Sequence, residues 1–235
     1  MSRDWQKHAR MQSIQARLVV RLGWLAALAF LSACHSGRPR IPDGWVAVPG
    51  PSIEAKQNRD DHARLQVIIC YGRWLSNHST VRLTSPDGHV LFWDPGGMYG
   101  RKDASIRRRA DLLLSGAPDL GRWWHYREHG CGEPFMKVFE WSVSSDQAKS
   151  LRDALIAGSR PPAVPGAFQT ATAGGFCCIA VSEFLQRFGG PSIVVPTRMF
   201  WPHNLADHLW SQSPDRVVVF EAGGAVVAYV HEDGV

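Results

Sequence analysis

Ala173-Gly-Gly-Phe-Cys-Cys-Ile-Ala-Val-Ser-Glu-Phe-Leu-Gln-Arg-Phe-Gly-Gly190 passes from a glycine-rich loop into an amphipathic helix, with a cysteine pair at the junction. Counted from Cys177, apolar residues fall at Ala180, Val181, Phe184, Leu185 and Phe188, the spacing of one buried helix face. Gly189 and Gly190 then stop the helix. Free N–H groups and the macrodipole of a first turn lower the pKa of a thiol placed there, and the preceding glycines let a substrate carbonyl approach the backbone. Packing is the competing role for either sulfur, because free cysteine is among the most buried residue types. Register favours Cys177 as nucleophile: counting from Cys178 instead puts the polar Ser182 on the apolar face.

Upstream, Arg64 to Cys70 and His78 to Leu83 read as strands, and Ser85-Pro-Asp-Gly88 turns the second into Val90-Leu-Phe-Trp-Asp94. Asp103 is expected to cap a helix running through Ser115. Phe135 to Val143 reads as a strand, and Ser145 or Asp146 caps a helix to Ile156. Beyond the cysteine helix, Asn204 starts a shorter helix to Trp210, and Arg216 to Tyr229 reads as a hairpin about Gly223-Gly224. Few strands are joined through single helices at parallel-sheet spacing, so the fold class is α+β with a mostly antiparallel sheet packed against the cysteine-bearing helix.

A cysteine nucleophile requires a base, and an acceptor to hold that base in one tautomer. His78 opens its strand, on the face shared by Thr80 and Arg82, and is the chosen base. Asp94 closes the paired strand and is the chosen third member. His89 and Asp87 lie nearer the turn, where solvated side chains are the default.

His78-Ser-Thr-Val-Arg-Leu83, Val90-Leu-Phe-Trp-Asp94, Phe139-Glu-Trp-Ser-Val and Cys177-Cys-Ile-Ala-Val181 follow one another in an order that resembles the circularly permuted branch of the papain-like NlpC superfamily. In that branch the histidine strand precedes the cysteine helix. The resemblance spans roughly residues 64 to 188 and implies a permuted papain-like fold, with Cys177, His78 and Asp94 as a catalytic triad. It implies acyl transfer through a thioester, with the Cys177 backbone N–H helping to hold the oxyanion. Two departures stand out: many members carry Asn where this chain has Phe176, and the doubled cysteine leaves Cys177 and Cys178 both open as the nucleophile, with register favouring Cys177. No cofactor and no metal are expected for such chemistry.

Arg17 to Ala33 form a basic flank, an apolar core and a small-residue end, the layout of a secretory signal. About 12 apolar residues after Arg21 are too few to span a bilayer comfortably. Leu31-Ser32-Ala33-Cys34 resembles the lipobox of bacterial lipoproteins, which implies cleavage and lipidation at Cys34, and hence a lipid-anchored protein of the cell envelope facing the periplasm. The resemblance of His35 to enterobacterial sorting signals points to the outer membrane. The expected organisation is a signal peptide at 1–33, a lipidated Pro- and Gly-rich tether at 34–60 and the catalytic domain at 61–235.

The 235-residue chain carries 26 basic and 21 acidic side chains, but residues 1–33 hold five of the basic ones and a single Asp. The remainder is almost neutral, which argues against nucleic acid as a partner. The expected partners are the membrane, through acylated Cys34, and an amide- or ester-containing envelope substrate. Peptidoglycan peptides lead, with lipid acyl transfer or thioester hydrolysis, or a catalytically silent binding module, as alternatives.

One rival motif is His125-Tyr-Arg-Glu-His129, a literal match to the H-x-x-E-H pattern of inverted zinc peptidases, with Glu128 as base. That reading needs an unbroken helix, and Gly121 and Gly130-Cys-Gly132 crowd it from both sides. Cys70 and Cys131 are left over; an oxidising compartment permits a disulfide between them, and packing explains Cys70 equally well.

Overall fold

A computed structural model describes residues 41–48, 62–72, 77–96, 111–159, 164, 167–170 and 176–234. These lie in one compact unit running from Arg38 to Val235. The signal and lipobox segment, Cys34, the glycine loop before Phe176 and most of the helix expected from Asp103 fall outside the described residues.

Among the described residues, eight strands form a single sheet in which every pairing is antiparallel. They are β1 (Trp45–Val48), β2 (Ala63–Tyr71), β3 (His78–Thr84), β4 (Val90–Asp94), β5 (Asp111–Leu113), β6 (Phe135–Val143), β7 (Arg216–Glu221) and β8 (Val226–His231). Their spatial order is β1-β8-β7-β6-β2-β3-β4-β5. Four helices are seen among the described residues: α1 (Leu120–Cys131), α2 (Ser145–Gly158), α3 (Cys177–Phe188) and α4 (Pro202–Trp210). None of them is long and apolar enough to cross a membrane.

Strand alternation sorts the apolar side chains into two cores. Val67, Ile69, Val81, Leu83, Leu91, Trp93, Phe139 and Trp141 face α2, α3 and α4, whereas Ile68, Cys70, Phe92, Met136 and Val138 face α1. A sheet covered on both faces explains why β2 and β3 are buried along almost their whole length. The hairpin turns form as their residues demand: Gly88 takes φ 83°, and Gly223 and Gly224 take 91° and 89°, conformations open to glycine at little cost.

Three sequence expectations need correction. Asp111–Leu113 belongs to edge strand β5, paired with β4, and not to the end of a helix; with two apolar residues in three, so short a stretch carries no period that separates helix from strand. The helix α1 forms despite its glycines because Asp119 caps it, its Oδ1 accepting from the Arg122 N–H at 2.7 Å, and because Gly132 ends it in the left-handed conformation. The folded unit also begins well before residue 61. Strand β1 pairs with β8 inside the stretch read as a tether, and Trp45 packs edge-on against Trp210 with ring centroids 4.8 Å apart.

Because Trp45 is half-buried and covers Trp210, Trp45→Ala should cost about 2 kcal/mol of stability, somewhat below the loss typical of a fully buried tryptophan. Urea unfolding of the domain with and without the substitution measures this. A value indistinguishable from wild type would mean that β1 is not part of the cooperative unit.

Candidate active site

Helix α3 lays Ala180, Val181, Phe184 and Leu185 into the core, and Trp93 of β4 meets the Phe184 ring at 5.5 Å. This anchoring sets the helix N-terminus against the start of β3. There the Ser79 backbone N–H donates to Cys177 Sγ at 3.3 Å, and the sulfur lies 4.0 Å from the Asn77 carbonyl oxygen. Phe176 occupies the N-cap position and makes no side-chain capping bond.

His78 and Asp94 belong by alternation to the opposite face, the α1 side. They are diagonal neighbours across the β3–β4 pairing, and His78 Nε2 sits 2.7 Å from Asp94 Oδ1. Since His78 is the first residue of β3, its ring stands at the sheet's end, where it reaches the sulfur brought in from the other face by α3. With Nε2 held by Asp94, Nδ1 is the nitrogen left to exchange a proton with the thiol. The structure thus brings Cys177, His78 and Asp94 together, all three with at most 7% of their surface exposed.

Burial alone would keep such groups neutral. Desolvation pushes the Cys177 thiol up, yet the charge and hydrogen bond of His78, joined by the Ser79 N–H, outweigh it and bring the thiol down to about 7. Desolvation and the Arg127 charge pull His78 down, but Cys177 and Asp94 together raise it to about 9. Asp94 is opposed by burial as well, and His78 holds it below the usual carboxylate range. Between those two values the favoured state is a thiolate–imidazolium pair backed by a carboxylate. Cys178 is different: burial and the neighbouring Cys177 charge push its thiol far up, so it packs as an apolar group.

Gly96, just beyond the end of β4, also belongs to the site. Its N–H donates to Asp94 Oδ1 at 2.9 Å, and a Cβ at this position would lie 2.7 Å from His78 Cε1. The Asp-x-Gly spacing carries a signal for the first property, since an Asp side chain commonly accepts from the backbone two residues on. The second depends on where the ring of another strand lies and has no signature in the chain.

Behind His78, Trp123 of α1 is fully buried, its ring 6.1 Å from the imidazole and 5.5 Å from the Arg127 guanidinium. Arg127 and Glu133 form a buried two-pronged ion pair, with Nε donating to Glu133 Oε2 at 2.6 Å and Nη2 to Oε1. The flanking His125 and His129 are exposed on α1, with ring centroids 4.2 Å apart. His129 Nδ1 lies 3.2 Å from the His125 carbonyl oxygen, and Glu128 accepts from the Gly223 N–H in the β7–β8 hairpin. Among the described residues no three potential ligands gather around them. Cys70 and Cys131 are both free thiols, and burial raises the pKa of each.

Compared with known proteins, the chain matches no family model, no curated protein and no solved structure.

Two outcomes follow from this geometry. The alkylation rate of Cys177 by iodoacetamide should rise through a midpoint near pH 7 in the wild type. In His78→Ala, burial is left unopposed by the imidazolium, so the midpoint should move up towards or beyond that of an ordinary cysteine. Gly96→Ala should displace the His78 ring and shift the midpoint in the same direction without unfolding the domain, as circular dichroism would verify. An unchanged midpoint in both variants would show that His78 does not set the ionisation of Cys177.

Proposed function

We propose that the protein is a cysteine hydrolase or acyltransferase of permuted papain-like fold, carried on a lipid-anchored envelope protein. The observation that carries this reading is the dry cluster in which Cys177, at a helix N-terminus, is paired with a histidine whose other nitrogen is held by Asp94. The chain order supports the fold assignment: the histidine strand precedes the cysteine helix, and α3 packs on an antiparallel sheet.

Cys177 attacks the carbonyl carbon of an amide or ester, and sulfur gains the acyl group as the C–N or C–O bond breaks. The His78 imidazolium gives its proton to the departing amine or alcohol. Water, or another acceptor, then loses a proton to His78 and resolves the thioester. The carbonyl oxygen, negative in each tetrahedral intermediate, is met by the Cys177 N–H at the start of α3. Asp94 keeps the imidazole oriented throughout. In the envelope, peptidoglycan peptides offer the first amide substrates and acylated lipids the ester alternative. Cys34, as the acylated residue, ties the domain to the membrane, on the outer-membrane side by the resemblance of its flanking residue.

Purified enzyme incubated with peptidoglycan fragments and with acyl esters should release product with wild type. Cys177→Ala should lower kcat/KM by at least about 1,000-fold, Asp94→Ala should lower it less, and Cys178→Ala should stay within about tenfold. Turnover should follow a bell rising near pH 7, where Cys177 ionises, and falling near pH 9, where His78 loses the proton it must donate. Equal activity in Cys177→Ala and wild type would remove the reading.

A further inference from the structure

Four residues of helix turn a side chain through about 400°, so His129 stands one turn above His125 on the same side of α1. Both are exposed, and their rings lie with centroids 4.2 Å apart. Packing does not account for the pair, because the buried side chains of this helix are Leu120, Trp123, Trp124 and Arg127. The tautomer of His129 is also fixed. Its Nδ1 lies 3.2 Å from the His125 carbonyl oxygen and 3.6 Å from Glu128 Oε2. A carbonyl oxygen can only accept, so Nδ1 carries the proton and Nε2 keeps a lone pair directed away from the backbone. Glu128 is itself held in place, its Oε1 accepting from the Gly223 N–H at 3.2 Å. An imidazole whose second nitrogen is fixed by a carbonyl and a carboxylate is oriented, and made more basic, as a metal ligand is.

We propose that His125 and His129 form a two-histidine site for a divalent transition-metal cation on the solvent face of α1, its remaining positions filled by water. His129 contributes Nε2, and a small rotation of the exposed rings sets a nitrogen of each at the roughly 2.0–2.1 Å that such an ion requires. Imidazole nitrogen selects Ni²⁺, Cu²⁺ or Zn²⁺, whereas Mg²⁺ takes oxygen ligands. The site is a clamp and differs from a zinc-peptidase centre: Glu128 faces the protonated nitrogen of His129, the one turned from the ion, and so acts as that ligand's outer partner. The cation ties successive turns of the helix whose buried Trp123 lies behind His78. The proposal is independent of the cysteine-hydrolase reading.

The test is calorimetric titration and thermal unfolding of the untagged full chain with Ni²⁺, in a Cys177→Ala background so that the thiolate does not compete. One equivalent should bind, and at about a hundredfold excess over Kd the unfolding midpoint should rise by about 5 °C. His125→Ala and His129→Ala should each weaken binding at least about tenfold and abolish the rise, with the metal-free circular dichroism unchanged. Mg²⁺ should neither bind nor raise the midpoint. Absence of Ni²⁺ binding, binding undiminished in either histidine variant, or an equal rise with Mg²⁺ overturns the site.

Discussion

A charged pair held out of water at the junction of a helix and a strand is the constraint around which the rest of the structure is arranged. Cys177 and His78 lose hydration on folding, and desolvation is the largest influence on each. Their charges persist only because each supplies the other's counter-charge and Asp94 and the Ser79 N–H add to it. Such a pair tolerates little displacement, since separation removes the compensation while the burial remains. The long aromatic contacts of Trp93 with Phe184 and Phe168, and of Trp123 with Phe92, restrain the strands and helices that carry the pair.

The two faces of the sheet divide the work. The α3 face brings the sulfur, and the α1 face brings the imidazole and carboxylate, so the site exists only where β3 begins and both faces are in reach. This placement also separates the two cysteines. One residue of helix turns the side chain by about 100°, enough to carry Cys178 into the core beneath α3 while Cys177 stays at the sheet's end. Cys178 keeps its proton for the reason that Cys177 loses one: it has burial without a cationic partner.

The α1 face holds a second dry charge pair, Arg127 with Glu133, one helix turn from Trp123 and close enough to act on both His78 and Asp94. Its positive end favours the ionised carboxylate and disfavours the imidazolium. The His125 and His129 side chains of the same helix point to solvent, while Arg127 between them points inward. The sequence motif therefore marks a helix whose buried member is the arginine.

Local chemistry in the chain determined much of the fold. Strand-like runs marked β2, β3, β4 and β6, glycine turns marked both hairpins, starting or capping residues marked α2 and α4, and helical spacing marked α3, because each signal lies within a few neighbouring residues. It also singled out Cys177, His78 and Asp94 by residue type and position on their elements. It did not mark β1, four residues long and set among Pro and Gly, whose strand character comes from pairing with β8. It misread β5 for the same reason, and it undervalued α1, whose stability rests on Trp123 and Trp124 packing against a distant sheet. The ionisation of Cys177, the silence of Cys178 and the close fit of Gly96 against His78 were decided only by tertiary structure. Each depends on which groups from remote parts of the chain share a space without water, and a linear sequence carries no local record of that.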